Sequence, residues 1–308
     1  MRISEEILRA AQKQLDADCG IGGKNGKTVT AGNGVMLHRA PRFPAQAYMT
    51  DASYGELVRE RLKEETGIRP RVYEGTDLFF RGIVCMGRVR ILAADEIFDW
   101  CVREYGSLKN PEWLCSFDSL RRLDDMLRRH GRRIRDVRLN FLPCETGGGE
   151  AVSVPVCASV PVCASGPVRA SVPISAPFPV RWLEAGELAG SRELSAFRHA
   201  VCASGLTPDE LAVAAVKEGR IVGIAGAASD CDTLWQIGVD VDAGQRGRGA
   251  AAVLVGLLKN ELLRRGRIPF YATSQSHIVS MDAAVSAGFL PAWSEIYVSA
   301  SDGKQRKY

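Results

Sequence analysis

From Ser153 the chain reads SVPVCA, SVPVCA, SGPVRA, SVPISA and then PFPV, a six-residue repeat with proline at its third place. No other feature restricts the fold as much. Pro155, Pro161, Pro167 and Pro173 each lack a backbone donor, which rules out a helix and removes ladder bonds from any central strand. An extended, polyproline-like linker over 146–179 is the conformation left. A hexapeptide β-helix would need more turns and a different residue pattern. The repeat therefore predicts a boundary, with an N-terminal α+β domain over 1–145 and a second domain over 180–308. A chain of 308 residues is long enough for two.

Composition narrows the class. An apolar fraction of 46% and a charged fraction of 25% are those of a globular protein. The net charge of +4 neither demands a nucleic-acid partner nor excludes an anionic ligand. Arg121, Arg122, Arg128, Arg129, Arg132, Arg133, Arg135 and Arg138 gather without aromatics or a nucleic-acid motif. They are expected to form a solvated basic surface, and no nucleic acid is expected as a partner. Met1 to Ala10 is charged and unlike a secretory signal, and no run reaches the length of a membrane span. A cytoplasmic protein without a membrane partner is expected. The cysteines (Cys19, Cys85, Cys101, Cys115, Cys144, Cys157, Cys163, Cys202, Cys231) are scattered and none forms a C-x-x-C pair. Free thiols are expected, and no metal.

The N-terminal part reads as mixed α and β, with no chemical motif. Ser4 caps a helix running to Ala17, with Glu5 and Glu6 in its first turn. Cys19 to Gly34 is turn-rich, with a hairpin signal at Asn25-Gly26. Helices are predicted over 55–66, 94–105 and 117–130, and strands over 69–73, 82–93 and 137–142.

The C-terminal part is punctuated more regularly. Strands are predicted over Val180–Leu183, Leu211–Lys217, Arg220–Ala228, Thr233–Val241, Ile268–Thr273 and Ala292–Ser299. Helices are predicted over Ser191–Cys202, Ala250–Arg265 and Ser280–Ala287, the last ended by Gly288. Its informative segment is GVDVDAGQRGRGAAA, from Gly238 to Ala252. A strand ends, a polar loop follows, and a glycine-rich stretch opens a helix. Backbone N–H groups at a helix start attract anions, and Arg246 and Arg248 add charge. Gly247 and Gly249 let the backbone approach a phosphate. A P-loop would need Lys-Ser/Thr where Ala250-Ala251 stands, and a dinucleotide fingerprint would need a third glycine where Ala252 stands.

Arg246-Gly247-Arg248-Gly249-Ala250-Ala251 resembles the signature Q/R-x-x-G-x-G/A of the GNAT superfamily of N-acetyltransferases. The order of elements from Val180 to Val298 is similar too, including the Gly288-Phe289 ending, and the resemblance covers about 40% of the chain. It implies an α/β (α+β) fold with a mixed, mostly antiparallel sheet flanked by helices. It implies acetyl-CoA as acetyl donor, its pyrophosphate on Arg246, Gly247, Arg248, Gly249, Ala250 and Ala251. Backbone N–H groups near Val239 and Val241 would hold the pantetheine and thioester, in a splay between the strands at 235–241 and 268–273, with Ser276 and His277 beside the cofactor.

The sequence departs from the family at its usual proton carriers. Where many members have Asn and Tyr on the final helix, this chain has His277 and Ala284. Where some carry a glutamate base, it has Trp235 and Gln236. His277 has the pKa range of a base and Tyr271 could supply an acidic hydroxyl; the alternatives are a hydrogen-bonding stand-in and a core aromatic. Asp230, Asp232, Gln236 and Asp240 are candidates for substrate recognition, Ser274 and Ser276 for a cap or cofactor contact. The expected function is acetyl transfer to a primary amine of a small molecule or peptide, by direct attack. The alternative is a non-catalytic acyl-CoA-binding module or sensor. A homodimer is the one further partner the sequence admits.

Overall fold

The computed structural model describes residues 1–23, 28–41, 51–73, 78–145, 178–191, 193–202 and 206–300. The Asn25-Gly26 hairpin and the proline repeat up to Pro177 lie outside them. Among the described residues no helix is long and apolar enough to cross a membrane, and no group of three or more His, Cys, Asp or Glu could hold a metal ion. The seven described cysteines are not joined to one another by disulfides.

Helix α1 (Glu5–Asp18) starts where Ser4 Oγ accepts the Ile7 N–H at 3.2 Å. Strands β1 (Thr28–Thr30) and β2 (Val35–Arg39) follow, then α2 (Asp51–Thr66). The run expected as one strand over 82–93 is a hairpin, β3 (Phe80–Cys85) and β4 (Arg88–Ala93). Its turn needs left-handed backbone, at Met86 (φ 48°) and Gly87 (φ 71°). Residues 69–73 are no strand. The Arg71 N–H goes to Asp18 Oδ1 at 2.7 Å instead of to a ladder. Helices α3 (Asp95–Tyr105) and α4 (Phe117–Arg128) precede β5 (Arg132–Pro143), which is twice as long as its apolar core suggests. On α4, Arg121 and Arg128 pair with Asp118 and Asp124, and Arg122 with Glu104.

The remaining elements are β6 (Val180–Glu184), α5 (Ala185–Gly190), β7 (Asp209–Lys217), β8 (Arg220–Ala228), β9 (Leu234–Val241), α6 (Ala250–Arg264), β10 (Ile268–Ser274), α7 (Ile278–Ser286) and β11 (Phe289–Ala300). The helix expected over Ser191–Cys202 is not there. A capping box between Glu184 and Glu187 starts α5 six residues earlier, and Ser191 ends it. Beyond it Glu193–Ala196 makes a single 3-10 turn.

Among the described residues eleven strands join one sheet, in the order β1-β2-β4-β3-β11-β5-β10-β9-β8-β7-β6. The sheet is mixed and mostly antiparallel, with parallel pairing at β2/β4 and β9/β10, and helices flank it. The sheet runs on through both parts of the chain that the proline repeat separates in sequence. Strand β5, which precedes the repeat, lies hydrogen-bonded between β10 and β11, which follow it.

Side-chain alternation gives the sheet two faces. Phe141, Ile237 and Tyr271 pack with Leu254, Leu258 and Leu262 of α6 on one face. Leu142, Leu234, Phe270 and Trp293 pack with Leu15, Val58 and Leu62 of α1 and α2 on the other. That second face buries a charge cluster. The Arg71 guanidinium bonds Asp18 Oδ2 at 2.6 Å and Glu295 Oε2 at 3.0 Å, and Arg81 reaches Glu295 Oε1 at 3.2 Å. Arg71 also lies over the rings of Phe270 and Trp293. These pairs tie the first helix to the last strand.

Candidate functional site

Strands β9 and β10 run parallel but pair over only four residues, from Leu234↔Ile268 to Ile237↔Tyr271. Beyond that point each keeps its other neighbour. β9 stays with β8 to Gly223↔Val241, and β10 stays with β5 to Ser274↔Arg138. The two strands therefore part between Gly238–Val241 and Ala272–Ser274. The Asp242 N–H donates to Val222 O at 3.0 Å on the β8 side. Backbone groups alternate in direction along a strand, so those of Val239 and Val241 face the gap.

At the open end of the gap β9 runs into the loop to α6. Gly247 (φ 76°) and Gly249 (φ 75°) are left-handed, a backbone that glycine adopts without strain. Gly249 is the N-cap of α6 and supplies no side-chain cap, so the N–H groups of the first turn meet no side chain there. Arg246 Nε bonds Val241 O at 2.8 Å, and its Nη2 lies 3.6 Å from Asp240. Beside the loop is a cleft of about 540 Å³, with Phe178, Val216, Lys217, Gln245, Arg248 and Ala250 among its walls. An uncapped helix start, two glycines and Arg246, Arg248 and Lys217 together suit an anion of several charges.

Of the two donors expected free, Val239 N–H faces the gap where the ladder has ended. Val241 N–H does not fit the expectation: it donates to Asp240 Oδ1 at 3.0 Å. A carboxylate one residue away satisfies the donor that the missing ladder leaves open.

The expected proton carriers are set differently. Tyr271 is buried at the vertex of the gap, its hydroxyl 2.9 Å from Ser280 Oγ and its ring against Phe289. Burial raises its pKa, and the Ser280 bond offsets part of that rise. His277 is exposed at the N-cap of α7, where its side chain makes no cap bond. Of the two roles open to Ser276, a cap or a cofactor contact, the cap is not formed: the N-cap is His277, and Ser276 lies one residue before it, its carbonyl accepting the Ile278 N–H. Ser274 Oγ lies 3.5 Å from Ser276 Oγ and donates to Asp136 Oδ1 at 3.2 Å. Trp235 and Ala284 are core residues.

Among the candidate recognition groups, Gln236 and Asp240 alternate onto the face opposite α6. Asp232 is exposed before β9 begins, at the closed end of the gap. Asp230 is 1% exposed, and burial pushes its carboxyl up to about 7 against the opposing pull of a Tyr73 hydrogen bond, Arg71 and Arg59. Asp209, also buried, is pushed up to about 7 although Cys202 N–H donates to it.

The contribution of β5 is not legible in the sequence. Asp136, Arg138 and Asn140 stand beside Ser274 and Ala272 along the gap. Their alternation with Val137, Leu139 and Phe141 marks a strand, but nothing local to it says that two later strands will enclose it.

No protein-family model matches the chain, and no curated protein matches it. Solved structures do. A GNAT-family acetyltransferase from Colwellia psychrerythraea is 10% identical, over 96% of this chain and 97% of that one, with a TM-score of 0.40. A GCN5-related N-acetyltransferase from Kribbella flavida is 16% identical, over 59% of this chain and 65% of that one, with a TM-score of 0.36. An aminoglycoside N-acetyltransferase in complex with CoA is 18% identical, over 37% of this chain and 92% of that one, with a TM-score of 0.29.

Proposed function

We propose that this protein is a GNAT-type acyltransferase that moves the acetyl group of acetyl-CoA to a primary amine of a small molecule or peptide. The parting of β9 and β10 after Ile237 and Tyr271, beside the uncapped start of α6, carries the reading. The residues present fit the donor. The pyrophosphate would rest on the N–H groups from Gly247 to Ala251, with Arg246 and Arg248 beside it. The Val239 N–H would hold and polarise the thioester carbonyl. The amine nitrogen would attack the thioester carbon; the C–N bond forms, the C–S bond breaks, the amine loses a proton and the thiolate gains one.

Placement supports Tyr271 over His277 as the source of that last proton. Tyr271 sits at the vertex with its pKa raised, so its hydroxyl stays protonated, and Ser280 is bonded to it. His277, exposed at the mouth, suits a contact with the cofactor arm. The core positions of Trp235 and Ala284 favour the second reading, an acyl-CoA-binding module without turnover, to the extent that Tyr271 fails in this role.

The test is titration with acetyl-CoA followed by CoA release over an amine panel. Amine-dependent release that disappears in Arg246→Glu, Gly249→Asp supports the acyltransferase. Tight binding with no release over the whole panel supports the binding module. No binding rejects both.

A further inference from the structure

On the face opposite α6, the row where β9 and β10 first part is built from small residues and hydrogen-bond acceptors. Its floor is Gly238 on β9 and Ala272 on β10. Over Gly238 lie the backbone oxygens of His199 and Ala200. They would stand 2.7 and 3.1 Å from a Cβ added there, so only glycine admits them. On the other side Ala272 is partnered by Asn140 of β5. Asn140 is fully buried, and its Nδ2 reaches Arg138 O and Trp293 O, both at 3.5 Å. With the nitrogen turned to those carbonyls, Oδ1 points elsewhere, and it has no hydrogen-bond partner among the described residues. A buried acceptor left unpaired is costly and is commonly matched by a ligand or a water.

We infer that Asn140 Oδ1 and the carbonyls of His199 and Ala200 form the recognition site for the acyl acceptor, and that this acceptor is a small cationic amine. The inference rests on the acyltransferase reading, since it takes the gap as the place where donor and acceptor meet. The site offers acceptors from both sides across about two strand spacings, roughly 10 Å. A group rich in N–H donors pairs with both sides, whereas a carboxylate placed between them would meet the lone pairs of all three oxygens. Asn140 belongs to the segment before the proline repeat, so the N-terminal half supplies one wall of the site.

The experiment uses the full chain, acetyl-CoA as donor, and spermidine, glucosamine, tryptamine and glycine as acceptors. Donor affinity is measured first by calorimetry for wild type, Asn140→Leu, Asn140→Ser and Asn140→Asp. No donor binding by wild type would remove the acyltransferase reading itself. With the donor bound, at least one of the three amines without a carboxylate should release CoA well above glycine. Release with none of them, or with glycine best, overturns the inference while the donor site stands. In the Leu and Ser variants KM for the working amine should rise at least tenfold, with donor affinity unchanged. Asn140→Asp keeps the accepting oxygens and loses the donor to Trp293 O, so it should stay near the wild-type KM. If Asp is as impaired as Leu and Ser, the amide only ties the strand and the inference fails. If Leu does not fold, as judged by lost donor binding, Ser against Asp decides.

Discussion

The glycine loop before α6 and the charge cluster beneath β11 lie in the same sheet and use charge in opposite ways. The loop is contiguous in sequence, from Val241 to Ala250, and keeps its helix start uncapped and its arginines near the surface. The cluster draws Asp18, Arg71, Arg81 and Glu295 from distant parts of the chain and closes them off from water, with each guanidinium held by a carboxylate. A site that must take a ligand leaves groups unsatisfied. A cluster that fastens a first helix to a last strand pairs each charge with an opposite one, because a buried charge without its partner costs far more than an exposed one. Substitutions in the two regions should therefore separate stability from binding.

The largest effect is expected at Glu295. Glu295→Ala leaves Arg71 and Arg81 buried with one carboxylate fewer, and should destabilise the fold by about 3–5 kcal/mol. Thermal melting of the variant should show a large fall in Tm, with donor affinity retained in whatever protein remains folded. A variant that melts like wild type would mean that the cluster does not fasten the two ends.

Gly249→Asp should do the reverse. At φ 75° a side chain costs about 1–2 kcal/mol at most, and a Cβ at this position meets nothing within 4 Å. A carboxylate at the helix start opposes the pyrophosphate, so acetyl-CoA should bind on the order of 100-fold more weakly by calorimetry while Tm moves little. A large drop in Tm with unchanged affinity would break the contrast between the regions.

These two regions also differ in how far the sequence reveals them. The loop was legible because every element of it is local: a strand that ends, glycines that permit left-handed backbone, and a helix with a regular apolar stripe. The anion-attracting helix start follows from that pattern, whereas the parting of β9 and β10 is implied only by the resemblance to the GNAT superfamily. The cluster was not legible, because Asp18 and Arg71 look like ordinary solvated charges until α1 and the 69–73 segment are laid over β11. The same holds for Asn140. The pattern over 137–142 marks a strand, but its place between β10 and β11 depends on two strands that come more than a hundred residues later. The missed helix over Ser191–Cys202 has a local cause: Ser191 is a good N-cap residue that in this chain ends a helix, because Glu184 and Glu187 had already begun one.

The buried acids give a pH test of intermediate size. Asp209 and Asp230 are both pushed up to about 7, each mainly by burial, and each raised further by a neighbouring acid, Asp230 for Asp209 and Asp18 for Asp230. A folded-state pKa above the unfolded value means that the folded protein holds these protons more tightly. Stability from this source is present below the unfolded pKa near 4 and is lost as pH rises toward 7, above which it stays level. Glu295 acts in the other direction: its pKa is lowered, so its contribution is lost only as pH falls below the ordinary carboxylate range. Melting from pH 5 to pH 8 should show Tm falling up to about pH 7 and flattening beyond it. Asp230→Asn should flatten the slope. An unchanged slope in that variant would show that another group carries the dependence.

The smallest effect sharpens the comparison most, because it asks whether an exposed charge in the loop matters at all. Arg246 has a side chain 65% exposed, and its guanidinium is shared between the Val241 carbonyl and, more distantly, Asp240. An exposed cation gains little from a fixed partner, so Arg246→Ala should leave Tm nearly unchanged. For donor binding the same charge adds to the field of the helix start, and its loss should weaken acetyl-CoA about three- to tenfold at low salt. That difference should shrink as ionic strength rises from about 0.05 M to 0.5 M, because the Debye length that screens an exposed charge falls from about 14 Å to about 4 Å. Donor affinity of wild type and variant, titrated at both salt levels, decides it. A gap that persists at high salt would mean that Arg246 acts through the Val241 carbonyl, by holding the end of β9 in place. The loop would then fasten structure as the buried cluster does, and the division between a binding region and a fastening region would be one of degree.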